Sequence, residues 1–256
     1  MAILLQATST HVSPRFFSVL LNSIIQTHTL SPMTSISSGN LTPTFANAIT
    51  DQVSFVSYDD RFASDILGDN VTQETIAEVN WEAFHEAGVY NIATERLYAT
   101  SAWAGSFDDP INVTAIDTEQ TDEILSLRYA HLAQPNGGTA YYPIGSPPTS
   151  SEGQTIVFCD QGNYWNPSQL VAVDPASNFS QVLVDNFFGR NFSSINDVKQ
   201  HYYTGDLWFT DAPYGYWQGF RPQPAIRSQV YRYEPATGGV QVVADGFVAP
   251  NGIEFR

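Results

Sequence analysis

The 256-residue chain has one cysteine, Cys159, one lysine, Lys199, and no long apolar run. One cysteine excludes an internal disulfide and any thiolate-based zinc site. Ten basic residues against 26 acidic ones leave a net charge of −16. A nucleic-acid backbone or an anionic membrane surface needs a basic face, which this chain has few residues to build. The best apolar stretch, Phe16–Ile25, is interrupted by Ser18, Asn22 and Ser23, short of the ~20 residues of a membrane span. Neither nucleic acid nor membrane is expected as a partner. Familiar catalytic spacings are missing too. There is no G-x-S-x-G elbow, H-E-x-x-H pair, G-x-G-x-x-G turn, Walker loop or EF-hand loop.

The first fifty residues also lack Asp, Glu and Lys, and hold Arg15 as their only basic side chain. Sixteen of them are Ser or Thr. All 26 carboxylates lie in residues 51–256, so residues 1–50 read as a leader, disordered or targeting, before a folded domain over 51–256. The leader fits a signal peptide with an interrupted apolar core, a transit peptide poor in Arg, or an incorrectly assigned gene start. Five N-x-[ST] sequons, at Asn40, Asn70, Asn112, Asn178 and Asn191, tilt the balance towards a secreted glycoprotein over a cytoplasmic protein.

What is present is aromatic, turn-forming residue and apolar alternation. Aromatics make up 13%, and Gly and Pro number 17 and 15, the texture of an all-β protein. Leu170-Val-Ala-Val-Asp-Pro175 followed by Gln181-Val-Leu-Val-Asp-Asn-Phe187 repeats as Val230-Tyr-Arg-Tyr-Glu-Pro235 followed by Gln241-Val-Val-Ala-Asp-Gly-Phe247. Each is an alternating strand, an acidic-Pro turn and a second alternating strand, which is a hairpin. A fainter copy is Asn112–Asp117 with Glu123–Tyr129. A second family of strands is Arg96–Ser101, Thr155–Asp160 and Asp206–Asp211. Both recur at roughly 50–60 residues, the period of a four-stranded propeller blade. The competing architecture is a β-sandwich with coincidentally similar hairpins. One short helix is expected over 61–67.

Glu86, Asn196 and Asn251 are spaced by 110 and 55 residues, two repeats and one. Equivalent positions of different blades meet at one end of a propeller channel. A carboxylate with amide carbonyls is an oxygen donor set for a hard cation such as calcium. The alternative for each residue is an ordinary strand cap or an Asn-Asp or Asn-Gly turn. His85 reads as a structural neighbour of Glu86 rather than a base. Cys159 reads as a small buried hydrophobe. Tyr214–Trp217 either line a substrate mouth or are exposed loop aromatics.

Phe84–Tyr90, Val157–Gly162, Ser194–Val198, Leu207–Gly215 and Asp245–Ile253 together carry a family resemblance from about Val53 to the last residue. The chain resembles the superfamily of gluconolactonases, senescence marker protein (regucalcin) and luciferin-regenerating enzyme, in its fungal lactonohydrolase-like branch. The resemblance implies an all-β, six-bladed β-propeller, here incomplete at about four blades. It implies a divalent metal, calcium, held by Glu86, Asn196 and Asn251, and a metal-dependent hydrolase of a small sugar-type lactone. It places Asn196 also against substrate, Asp197 and His85 in support, and Asp211 as a weaker catalytic candidate at the channel mouth. The family's basic residue before Asn-Asp falls on Asn191 here, with Arg190 one position earlier as the substrate contact. A last metal ligand and base, an Asp, is expected in blades beyond Arg256. Alternatives of other classes are an inactive truncated propeller or binding module, and an esterase or phosphotriesterase use of the same metal site.

Overall fold

The structure is a computed structural model. It describes the backbone of strand residues 2–9, 12–20, 44–45, 56–57 and 72–77, and then residues 79–118, 124–144 and 153–255. The helix expected over 61–67 lies outside the described residues. The chain divides into two compact units, Met1–Glu78 and Val79–Arg256. In the first, β1 (Ala2–Ser9) pairs antiparallel with β2 (Val12–Leu20) and with β5 (Thr72–Ala77). The two-residue strands β3 (Thr44–Phe45) and β4 (Val56–Ser57) pair with each other.

The second unit is a partial β-propeller. Its first blade is β6 (Glu86–Asn91), β7 (Arg96–Thr100), β8 (Val113–Asp117) and β9 (Ile124–Leu127). The second is β10 (Pro135–Tyr141), β11 (Thr155–Asp160), β12 (Gln169–Asp174) and β13 (Phe179–Val184). A small hairpin, β14 (Asn186–Phe187) with β15 (Arg190–Asn191), precedes the third blade. That blade is β16 (Ile195–Gln200), β17 (Leu207–Asp211), β18 (Gln229–Glu234) and β19 (Gly239–Ala244). One helical turn, α1 (Tyr214–Trp217), interrupts the β17–β18 loop. Every blade is an antiparallel meander, and β6, β10 and β16 are the innermost strands. Three complete blades are described, in keeping with an incomplete propeller, and residues 250–255 follow without forming a strand.

The repeated sequence units follow from this layout. Each recurring hairpin supplies the two outer strands of a blade, and each 96–101-type segment supplies its second strand. The second strand is buried on both faces. Ile156 and Phe158 pack with Val89, Tyr98, Val113 and Ala115 of the first blade. Val157 and Cys159 point the other way, into Ile195, Val198, Phe209 and Tyr231 of the third. Successive side chains of a strand leave opposite faces, so a strand between two neighbours reads as a continuous apolar run. The outermost β13 and β19 alternate towards exposure instead. The second core adds stacked rings, Phe209 on Tyr231 at 5.3 Å, with Phe192 edge-on to both.

Among the described residues no helix is long and apolar enough to cross a membrane. Of the sequons, Asn178 and Asn191 are exposed, Asn112 is half-buried, and Asn40 and Asn70 lie outside the described residues.

Candidate functional site

Each inner strand opens with a polar residue at the same level: Glu86 on β6, Asn136 on β10 and Asn196 on β16. Glu86 directly precedes a break in register at Ala87/Val89, and Asn136 and Asn196 lie within theirs, at Pro135/Gly138 and Ile195/Val198. A β-bulge bends its strand and re-aims the neighbouring side chain. On β6 the distortion is strong enough to put Ala87 at φ 68°, a left-handed conformation that a residue with a Cβ seldom adopts. The same irregularity thus recurs in three blades at one end of the unit.

Hydrogen bonds then wire one blade to the next. Thr100, the register partner of Glu86, donates its hydroxyl to the Asn136 carbonyl at 2.9 Å. The Asn136 amide donates to the Asn196 carbonyl at 3.1 Å. Thr210, two repeats after Thr100, donates to the Asn251 carbonyl at 2.7 Å. In the middle blade Cys159 occupies the threonine's position and is fully buried.

Asn196 is only 4% exposed, and its side-chain Oδ1 is buried with no hydrogen-bond partner. A buried acceptor left in this state costs about 1–3 kcal/mol, and such an atom marks strain or a missing ligand. Glu86 is half-buried, and its carboxyl is pushed up to about 7 by burial and then by the negative charge of Asp197. Asp197 braces the loop. Its Oδ1 accepts from the Val198 N–H at 2.8 Å and its Oδ2 from the Ile253 N–H at 2.9 Å, two residues past Asn251. Burial pushes its carboxyl up as well, against these two bonds. Asn251 is exposed, and its amide reaches the Tyr214 hydroxyl at 3.4 Å. Glu86, Asn196, Asp197 and the Asn251 turn thus belong to one end of the second unit.

Of the remaining candidates, His85 and Asp211 lie at this same end, the first next to Glu86 in the chain and the second in register with Ile195, while Arg190 lies apart. His85 is exposed, and its backbone N–H bonds the Thr100 carbonyl at 2.7 Å. Asp211 is buried with both oxygens engaged, accepting from Ser193 N–H at 2.9 Å and Ser194 N–H at 2.7 Å. It is pushed up to about 6 by burial, opposed by those bonds and by the Arg221 charge. Asp160 repeats this bracket one blade earlier, on the amides of Ala133, Gln134 and Gly162. Arg190 is exposed on the β14–β15 hairpin and lines a depression of about 530 Å³ with Phe187, Phe188, Ile226 and Arg227. That depression includes none of Glu86, Asn196 or Asn251.

Asn136 escaped the sequence reading. Its strand begins Pro135-Asn-Gly-Gly138, which has the composition of a turn. The signal was nevertheless there, because Pro135-Asn136-Gly137 recurs as Pro250-Asn251-Gly252 two repeats later.

Among the described residues no three His, Cys, Asp or Glu side chains cluster as a metal group. One carboxylate that resists ionisation and one orphaned amide oxygen fit a hard cation, which would satisfy both. The cation-free protein has a pH signature. Glu86 titrates higher folded than its ordinary 4.5, so the folded state binds the extra proton between about 4.5 and 7. Stability is therefore expected to fall as pH rises through that window, by at most ~3 kcal/mol. Urea unfolding in chelator at pH 5 and pH 8, with Glu86→Gln as control, checks this. An equal slope in the variant would assign it to other groups.

No family model matches the chain. It is 28% identical over 222 residues to lactonohydrolase oryL of Aspergillus oryzae, covering 83% of this chain and 47% of that protein. Lactonohydrolase oryH of the same organism is 22% identical over 259 residues, covering 80% and 53%. The chain therefore spans about half the length of these curated relatives. Among solved structures, an X-ray structure assigned as a gluconolactonase superposes with a TM-score of 0.51 at 18% identity, over 70% of this chain and 54% of that one. A Xanthomonas campestris gluconolactonase aligns at 22% identity with a TM-score of 0.46, over 64% and 49%.

Proposed function

We propose that this chain, a relative of the gluconolactonase and senescence marker protein superfamily on its lactonohydrolase side, supplies a divalent-cation site for hydrolysis of a small lactone. The observation that carries this reading is the buried Asn196 Oδ1, without a hydrogen-bond partner, at the end of the blades where Glu86 stands. Glu86, Asn196 and Asn251 would hold the cation, and calcium suits an all-oxygen donor set. When bound, such an ion polarises a lactone carbonyl and lowers the pKa of water.

The chain's own residues do the rest of what can be assigned. Asn136 fixes the backbone of Asn196, so that its amide oxygen keeps its aim. Asp197 holds the segment after Asn251 against β16. Thr210 fixes the Asn251 carbonyl from below. The half-buried position of Glu86 lowers the local dielectric, which strengthens its attraction for a cation.

Calorimetric titration of the full chain with calcium tests the reading. A micromolar-range Kd is expected, weakened at least about a hundredfold in Glu86→Gln, which keeps the shape and removes the charge. Absence of heat, or a Glu86→Gln protein that binds as well as the parent, would sink it.

A further inference from the structure

Three loops leave the blades at the end that carries Glu86 and Asn196, and their aromatic side chains meet. Trp103 and Phe107 come from the β7–β8 loop, Tyr164 and Trp165 from the β11–β12 loop, and Phe220 from the β17–β18 loop. Trp103 stands edge-on to Phe220 at 5.0 Å and tilted against Phe107 at 5.3 Å. Phe107 in turn meets Trp165 at 5.1 Å and Tyr164 at 6.3 Å. Phe220 is fully buried and anchors the row, whereas Phe107, Tyr164 and Trp165 are 38%, 54% and 73% exposed.

The row is continuous with the proposed cation site. Asn251 touches Tyr214 of α1, and the next residue, Gly215, lies directly against Phe220, where an added Cβ would meet the ring at 2.8 Å. Trp103, the next ring along from Phe220, lies three residues past Thr100, the register partner of Glu86. Three residues span at most ~11 Å of chain.

Two of the polar side chains between these rings are already engaged. Asn163 Oδ1 accepts three bonds, from the Trp165 and Asn166 N–H groups and the Asn166 amide. The Tyr164 hydroxyl donates to the Gly219 carbonyl at 3.1 Å. Asp108 and Asp109, exposed next to Phe107, disfavour an anionic ligand. Exposed aromatics in a contiguous patch mark a site that takes apolar surface.

We propose that this aromatic row receives an uncharged hydrocarbon arm, alkyl or aryl, on the lactone substrate, so that the preferred lactone is a substituted one rather than a bare sugar lactone. The inference rests on the lactone reading above. Its test is a series of γ-lactones from γ-butyrolactone to γ-nonalactone, with glucono-1,5-lactone for comparison, on the calcium-loaded full chain. The quantity read is kcat/KM where a lactone is turned over and Kd where it is only bound. Each methylene laid on the rings is worth about fourfold, so the parent should show that slope. Trp165→Ala and Phe107→Ala should flatten it, while Phe188→Ala, on the separate β14–β15 hairpin, should keep it. Lactones that bind with no dependence on arm length, an unchanged slope in Trp165→Ala and Phe107→Ala, or a preference for glucono-1,5-lactone would overturn the inference while leaving the lactone reading intact. Failure of every lactone to bind or react would overturn both.

Discussion

Replacing Gly137 with alanine is expected to cost about 3 kcal/mol of stability and to abolish the proposed cation binding together. The new Cβ would stand 2.5 Å from the Asn196 carbonyl oxygen, 2.6 Å from Asp197 Oδ1 and 2.8 Å from the Asp197 Cα. Two of those three atoms are backbone, and β16 cannot step aside because β17 holds it on the other edge. The strain must therefore separate β10 from β16, which breaks the Asn136–Asn196 bond and displaces Asn196. For a unit of this size each kcal/mol moves Tm by about 2–4 °C, so a drop near 10 °C is expected. Thermal unfolding and calcium calorimetry on the same preparation check it. A variant with the parent's Tm and affinity would show that the blades are not in contact at this level.

Asp211→Ala is the second large effect, at about 3–5 kcal/mol. The substitution strands two buried N–H groups, on Ser193 and Ser194, that have the carboxylate as acceptor. It also removes the negative charge that faces Arg221, whose guanidinium is fixed by the carbonyls of Phe192, Ser193, Asn163 and Asn166 and cannot swing out. Asp211→Asn should lose less, since one oxygen still accepts while the new amide NH₂ opposes the other N–H. Urea unfolding at pH 7 should rank the parent above Asn and Asn above Ala. If Asp211 were instead a group of the reaction, the Asn variant would keep the parent's stability and lose only turnover.

The outer parts of the blades were legible because their environment repeats. A strand packed between two neighbours must be apolar on both faces, so Thr155–Asp160 and its relatives carry the period in plain composition. The inner strands were harder. They carry bulges, glycines and polar ends, because the backbones of adjacent blades come too close there for larger side chains. Glu86, Asn196 and Asn251 were reached through spacing and family resemblance, while Asn136 hid in a strand that begins like a turn. Sequence could not separate Asp211 from a channel residue either. An acid at a strand end has one spelling whether it faces solvent or, as here, two backbone amides. The departure at Arg190 has a similar origin. It is near Asn196 in sequence, but the intervening hairpin β14–β15 carries it outward.

The blade-to-blade wiring makes the second unit a nearly linear system. The bonds Thr100 to Asn136, Asn136 to Asn196 and Thr210 to Asn251 each join one repeat to its neighbour. Free energy in such an array is approximately a sum of repeat terms and nearest-neighbour terms. Order can then spread from whichever meander forms first, and the hairpins close over short sequence separations before any join is made. A lesion in one blade should weaken its own fold and the joints that blade makes. The first and third blades also meet directly, through Trp103 with Phe220 and through the charges of Glu86 and Asp197, so a lesion in one reaches the other without passing through the middle blade.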